Sequence, residues 1–261
     1  MRLDYGTQIS YAPITLSIGT IHKPTLHEIA FLGFDKFDFY KFLTKMTPEF
    51  YYKAFCKDEG GEEQWNTLSE KEREEVTIYQ VIEKDEKISA MYVEMFNFFF
   101  EETVIFTDGL FLLFKKKEDE SISNDNIRGI ITHETFSVVI DIIQQITCIH
   151  EDEFDDDEEP KFKNALAKKL YEKMKKAKAP RRGKSDENLT IPNIISALSS
   201  RHPSLNYSNI WNLTVYQLVD TFNRTLSNSL YEIDSTRVSV WGDEKNTFDA
   251  TLWYKNEYDK K

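Results

Sequence analysis

Residues 103–114 read Thr103-Val104-Ile105-Phe106-Thr107-Asp108-Gly109-Leu110-Phe111-Leu112-Leu113-Phe114, and this stretch decides what kind of fold the chain builds. Upstream of it the apolar residues recur with a helical period. Here they switch to every second position, the period of a strand. Asp108-Gly109 lies between two apolar runs, and a two-residue hairpin turn needs positive φ at both central positions, which Asp tolerates and Gly adopts freely. Thr103 to Phe106 and Leu110 to Lys115 are therefore expected to pair as an antiparallel hairpin. Alternation places Val104, Phe106, Leu112 and Phe114 on one face, and Ile105, Phe111 and Leu113 on the other. Both faces are apolar and both need covering. Ile127 to Ile131, after the polar stretch 115–126, supply a third strand. A helix capped by Thr132, with Phe136, Val139, Ile140, Ile143 and Ile146 at helical spacing, covers one face of the sheet.

Working outward toward the start, residues 76–100 read as a helix that buries Ile78, Val81, Ile82, Ile88, Met91, Val93, Met95, Phe96 and Phe99. Ser69 followed by Glu72 has the spacing of a capping box. Thr25 caps a helix carrying Leu26, Ile29 and Ala30, which Gly33 ends. An aromatic helix (Phe34, Phe37, Phe39, Tyr40, Phe42, Leu43) follows, Pro48 interrupts it, and Phe50 to Phe55 continue the aromatic run. Tyr11 to Gly19, with Ile14, Leu16 and Ile18, read as a short strand or extended arm.

Working outward toward the end, the composition changes at His150. Residues 151–159 are acidic apart from Phe154, and 161–184 carry eleven Lys or Arg against the single acid Glu172. The expected helix from Lys161 to about Ala177 spaces Phe162, Leu166, Leu170 and Met174 four residues apart, among lysines. That segment admits three readings: a nucleic-acid contact through Lys168, Lys169, Lys173, Lys175, Lys176, Arg181 and Arg182, a membrane-surface helix, or a helix that docks on a partner or internally. The neighbouring acids would repel a polyanion, and the apolar stripe is narrow and lacks Trp. Docking is the reading adopted, with Phe162, Leu166, Leu170 and Met174 as the partner-binding residues and nucleic acid as the alternative. Beyond it, Thr190 caps a short helix from Ile191 to Ser200, and Thr214 caps the longest helix of the chain. The stripe of that helix is Leu218, Val219, Phe222, Leu226, Leu230 and Ile233, and Trp241-Gly242-Asp243 ends it.

These elements predict an α+β fold, mostly helical, with a small antiparallel hairpin sheet in the N-terminal half. An aromatic-rich α+β domain would span 1–149, an acidic linker 150–160 and a helical domain 161–261. At 261 residues with 14% aromatics the chain has the means to bury a core, which excludes wholesale disorder. Its 45 Asp and Glu outnumber 33 Lys and Arg, for a net charge of −12. The two cysteines, Cys56 and Cys148, cannot make a disulfide framework. The greasiest window, Ala90 to Phe114, is broken by Glu94, Asn97, Glu101, Glu102 and Asp108, so no membrane span is expected. The first residues lack a basic stretch followed by an apolar one, which argues against secretion.

No chemistry-bearing motif emerges. His133-Glu134 begins like a zinc-protease helix, but the position four after the histidine is Ser137. Asp155, Asp156 and Asp157 lack the spacing of a calcium loop. Phosphate-loop, dinucleotide-binding and nucleophile-elbow patterns do not occur. No catalytic, cofactor-binding or metal-binding residue is therefore expected.

The order of several longer patterns carries more information. IGTIHKPTLHEI (18–29), MFNFFFEETVIF (95–106), FKNALAKKLYEKMKKAK (162–178), PSLNYSNIWNLTVYQLVDTFNR (203–224), VSVWGDE (238–244) and LWYKN (252–256) follow one another along the chain. In this order the chain resembles uncharacterised proteins from tail gene clusters of phages and prophages of Gram-positive bacteria, with tail or baseplate-hub assembly chaperones as the nearest functional label. The resemblance implies a non-catalytic protein of the bacterial host cytoplasm. It would bind another tail component, such as the tape measure or the baseplate hub, or serve as a structural subunit of the tail. It transfers no functional residues, because the shared patterns are packing patterns.

Overall fold

A computed structural model of the chain describes residues 1–56, 60–115, 126–149, 189–243 and 247–255. The described chain is α+β and mostly helical, with two small antiparallel sheets. It divides into two compact units. The first holds Met1–Ile149 together with Asn212–Gln217, and the second holds the described residues of His150–Trp211 and Leu218–Lys255.

The sheet at the centre of the first unit is the expected hairpin, β3 (Thr103–Thr107) and β4 (Leu110–Phe114), extended by β5 (Ile127–Ile131) in the order β3-β4-β5. Asp108 and Gly109 adopt φ of 51° and 75°, the left-handed pair that matches the twist of the strands. Thr107 pairs with Leu110, Phe106 with Phe111 and Val104 with Leu113. Directly paired residues share a face. The expected face assignment is therefore corrected: Val104, Phe106, Phe111 and Leu113 lie together, opposite Ile105 and Leu112. Counting alternate residues straight through a two-residue turn inverts the parity of the second strand, because paired positions differ by an odd number.

That first face is the heart of the core. Val104, Phe111, Leu113 and Ile131 are buried. Phe111 has the rings of Tyr79, Phe96, Phe106 and Phe136 around it, with centroids 6.2, 4.9, 4.6 and 6.5 Å away. Phe136 comes from the helix expected to cover the sheet, His133–Ile146, whose buried set is Phe136, Val139, Ile142, Ile143 and Ile146. Ile142 takes the fully buried place expected of Ile140, which is half-buried. On the other face Ile105 and Leu112 are half-buried. Gly129 on β5 is a close-approach position, because a Cβ there would lie 2.0 Å from the carbonyl oxygen of Ile18.

The expected helix over 76–100 is two helices, Ile78–Lys84 and Glu86–Phe99. Asp85 breaks it: its carboxylate accepts from the backbone N–H groups of Lys87 (2.8 Å) and Ile88 (3.3 Å), the bonds of an N-cap. The redirection brings in two residues that periodicity missed. Tyr79 and Tyr92 are buried, and each spends its hydroxyl on backbone carbonyls. Tyr79 donates to Gly109 (2.8 Å) and Ile131 (3.1 Å), tying the hairpin turn to the end of β5. Tyr92 donates to Leu43 (2.7 Å). Burial pushes the Tyr79 hydroxyl up to about 12, with the Glu83 charge adding to it.

Around this core the first residues form α1 (Tyr5–Ile9) and a hairpin of β1 (Ile14–Leu16) and β2 (Gly19–Ile21), where one extended arm was expected. Lys23 is buried, and its ammonium donates to the carbonyls of Thr7 and Ser10, the latter at 2.9 Å. It thereby satisfies orphan carbonyls at the end of α1. Burial draws its pKa down. Thr25 caps α2 (Leu26–Leu32) in a full capping box with Glu28, and Gly33, at φ 98°, ends it. The segment 212–217 joins this unit through backbone: Leu26 N–H donates to Leu213 (2.8 Å), and Gln217 donates through Nε2 to Ile9 (2.8 Å).

In the second unit, α10 (Ile191–Arg201) buries Ile194, Ile195 and Leu198. Thr190 precedes it with N-cap backbone angles, but its side chain makes no capping bond. The longest helix, α11, runs Val215–Trp241 over 27 residues. Thr214 caps it reciprocally with Gln217: Gln217 N–H donates to Thr214 Oγ1 (3.3 Å), and Thr214 N–H to Gln217 Oε1 (3.0 Å).

Candidate functional site

Two surfaces of the described chain present unusual chemistry, one on each unit. On the first, α3 (Phe34–Lys45) leads through Pro48–Phe50 into a widened π-helical turn, Tyr51–Phe55. Thr47 caps the Pro48 turn by accepting from Phe50 N–H at 3.2 Å. Pro48, which lacks the N–H that a continuing helix would need, starts this turn rather than ending the aromatic run.

The result is an unbroken ribbon of rings. Phe39 stacks on Phe42 (6.3 Å), Phe42 meets Phe50 edge-on (5.0 Å), and Phe50 meets Phe55 (6.2 Å). Phe55 stacks on Tyr51 (6.4 Å), Tyr51 meets Tyr52 (5.3 Å), and Tyr52 stacks on Trp65 (5.4 Å). Trp65 is buried and anchors one end, with the Arg73 guanidinium 5.8 Å from its ring centre. Arg73 also donates to the carbonyls of Trp65 (3.1 Å) and Asn66 (3.0 Å). From that anchor the ribbon rises to the surface, where Phe50 is 42% exposed and Phe55 40%.

Its middle is held rigidly. The Tyr51 hydroxyl donates to Asp85 Oδ2 at 2.8 Å, so one carboxylate both caps the Glu86 helix and fixes the ribbon. Burial pushes the Tyr51 hydroxyl well above its usual range, with hydrogen bonds to Cys56 and Asp85 adding to it. It therefore stays a neutral donor. Rigid aromatic rings that show their faces and edges cost little side-chain entropy on binding, and such rings are enriched where proteins recognise other proteins.

On the second unit, the facing sides of α10 and α11 form a polar groove lined by Arg201, His202, Asp220, Arg224, Asn228 and Glu232 among others. Asp220 is buried, and its carboxylate lies 3.7 Å from Arg224 Nε. Arg201 donates to Ser229 Oγ at 2.8 Å. Charges of both signs line it, Arg201 and Arg224 beside Asp220 and Glu232, so it carries no strong excess of either. The polypeptide after α11 turns back: Asp243 accepts from Thr247 N–H (3.0 Å) and Phe248 N–H (2.9 Å), Phe248 lies 5.6 Å from the Tyr231 ring, and Arg224 donates to the Lys255 carbonyl (3.3 Å). The expected stripe of α11 divides. Leu218 is fully buried and Val219 and Phe222 half-buried, while Leu226, Leu230 and Ile233 are exposed.

Phe162, Leu166, Leu170 and Met174, the partner-binding residues expected from the sequence, lie outside the described residues, as do the acidic stretch 150–160 and the basic segment. The ribbon's residues Phe39, Phe42, Phe50 and Phe55 did stand out in the sequence as an aromatic run. What identifies them as a surface is their partial exposure, which spacing does not report. His133 of the His-Glu pair shares a hydrogen bond with Thr77 Oγ1 (3.1 Å) and lies edge-on to Tyr79 (5.6 Å). Among the described residues no three His, Cys, Asp or Glu side chains gather into a metal-holding group. No helix of the described residues is long and apolar enough to cross a membrane.

The comparison with known families falls on the C-terminal part of the chain. Residues 181–258 match the family model described as the YomV second domain. YomV is a family encoded by phages and prophages, and the match is consistent with a phage gene product. No curated protein and no solved structure matches the chain.

Proposed function

We propose that this chain is a non-catalytic, chaperone-like assembly protein of a phage tail or baseplate, acting in the host cytoplasm by binding another tail component such as the tape measure. The family match supports the phage origin. The observation that carries the binding role is the aromatic ribbon, which places Phe50 and Phe55 at the surface on a base fixed by Trp65 and by the Tyr51–Asp85 bond. A tape measure is a long apolar helix, and a net charge of −12 on the covering protein would keep such a complex in solution. Phe162, Leu166, Leu170 and Met174 are proposed as a second set of contacts, on the sequence pattern alone.

The test is co-purification of tail proteins with this chain from an induced culture, with Phe50→Ser/Phe55→Ser and Leu166→Asp/Leu170→Asp as separate variants. Loss of the tail component from either variant, with an unchanged melting curve, supports the reading. Undiminished co-purification with both variants overturns these contacts. Mass spectrometry of purified particles beside the soluble lysate then separates an assembly factor, absent from particles, from a structural subunit present in fixed copy number. Absence from tail intermediates and particles alike overturns the tail role.

A further inference from the structure

The far half of α11 carries apolar surface that no described residue of the second unit covers. Leu226, Leu230, Ile233, Val240 and Trp241 are between 50% and 77% exposed, and none of the residues from 226 to 241 is buried. With 3.6 residues per turn, positions 226, 230, 233, 237 and 240 fall on one narrow stripe, because their spacing alternates four and three. Tyr231 and Arg224, which hold the returning C-terminal segment, lie on the opposite side of the helix. The return therefore leaves the stripe open.

The stripe has the chemistry of a helix-to-helix seam. Four-three spacing is the pattern by which one helix meshes its side chains with those of another. Its borders are mostly small: Ser227 and Ser229 flank the upper part, and Thr236 flanks the lower part opposite Asp234, so a second helix can approach closely. Lysine and glutamate, which usually select a different partner from positions beside such a seam, are absent from these bordering positions. One charge falls within the stripe, Arg237, and it pairs with Asp234 on the preceding turn, Nε to Oδ1 at 3.1 Å. Both partners of that pair are partly exposed.

We infer that two copies of this chain associate through the stripe, antiparallel, about a two-fold axis level with Ser235. In that arrangement positions equally far from 235 meet across the axis. Leu230 of one copy packs on Val240 of the other, the Trp241 ring sits over the small Ser229, and Ile233 lies against the aliphatic stem of Arg237. Arg237 and Asp234 of one copy stand beside the same pair of the other, running in the opposite direction. Each guanidinium then has two carboxylates, and a parallel pairing would instead set arginine against arginine. The area is consistent with a second copy. The four side chains that meet in this arrangement, Leu230, Ile233, Val240 and Trp241, leave on the order of 500 Å² of apolar surface uncovered on one helix, at the upper end of what a monomer shows. Two-fold pairing doubles this to roughly the 1,000 Å² that a specific interface needs.

Sedimentation equilibrium of the full chain over a range of concentrations tests this. The expected result is a reversible dimer, at twice the 30.7 kDa of the chain, whose dissociation constant rises at least ~100-fold in Leu230→Glu/Ile233→Glu while circular dichroism stays unchanged. Arg237→Asp should weaken the dimer, and adding Asp234→Arg to it should restore the association. A chain that sediments as a monomer throughout overturns the inference, whether the stripe then proves open or is covered by another part of the same chain. So does a dimer that survives the double glutamate variant. If that variant loses helix, the charge exchange decides: recovery by Asp234→Arg upholds the antiparallel seam, and no recovery overturns it.

Discussion

Phe111 and Leu230 show how differently the two units hold themselves together. Phe111 is wholly buried among four other rings and sits on a sheet whose turn and far strand are both tied to Tyr79. Leu230 lies on a helix just as regular, yet it is 57% exposed, and the nearby return segment holds only the opposite side. Around its sheet, the first unit buries its apolar residues against one another. Along α11 the described part of the second unit leaves Leu226, Leu230, Ile233 and Val240 exposed, where they contribute almost nothing until something covers them. Burial, and not hydrophobicity, separates a residue that stabilises the fold from one available for association.

The comparison breaks most readily at Phe111. Phe111→Ala should cost about 4 kcal/mol, the loss of a large buried side chain plus the cavity left behind. Leu230→Ala should stay within about 0.5 kcal/mol when the chain is kept dilute, as for an exposed position. Urea unfolding of the two variants measures both, and equal losses would mean that the second unit has a core of the same kind as the first. Gly129→Val comes next. A side chain cannot fit where Cβ would stand 2.0 Å from the Ile18 carbonyl oxygen, and a loss of about 3 kcal/mol is expected from forced displacement of the strand.

Smaller effects sharpen the picture within each unit. Tyr79→Phe keeps the ring contacts and removes only the two hydrogen bonds to Gly109 and Ile131. The expected loss is about 1.5 kcal/mol, with faster amide exchange confined to the hairpin turn and β5. Asp85→Ala should cost about 1 kcal/mol through the lost cap, and it should also loosen the ribbon by removing the acceptor of Tyr51. Broadened Tyr51 and Phe55 ring signals in NMR spectra would show that coupling, and unaffected signals would refute it.

The smallest effect is in the return segment. Asp249 accepts from Thr251 Oγ1 (2.6 Å), Thr251 N–H (2.9 Å) and Lys255 (3.1 Å), which hold its carboxyl down at about 2. A depressed carboxyl contributes above its ordinary value of 3.8 and is lost as pH falls through its folded value. The local turn should therefore persist at pH 3.5 and open only toward about pH 2. In Asp249→Asn it should be loosened at every pH. Trp253 fluorescence in the two proteins measures the difference, and coincident titrations would remove Asp249 from the account.

Much of the first unit was legible in the residues because the signals that specify it are local. Asp108-Gly109 demands a tight turn, Thr25, Ser69 and Thr132 start helices, and the switch from helical to alternate spacing marks the strands. What was misread had non-local causes. The break at Asp85 falls inside a run whose apolar spacing continues through it, and the burial of Tyr79 and Tyr92 depends on carbonyls 30 to 52 residues distant. The N-terminal arm is a helix and a hairpin, and the end of that helix is held by Lys23, 13 to 16 residues further along the chain. Of the surfaces proposed for binding, the aromatic run was visible as composition, but its exposure was not.

Fold class, the pairing of the hairpin strands and the starts of most of the long helices follow from the residues alone, because turn chemistry, capping and periodicity act between residues a few positions apart. Which apolar faces are covered depends on the packing of distant segments. That packing set Phe111 inside and left Leu226, Leu230 and Ile233 outside, although all four sit in strongly periodic segments. Periodicity states that a face exists, and burial depends on whether another part of the chain reaches it.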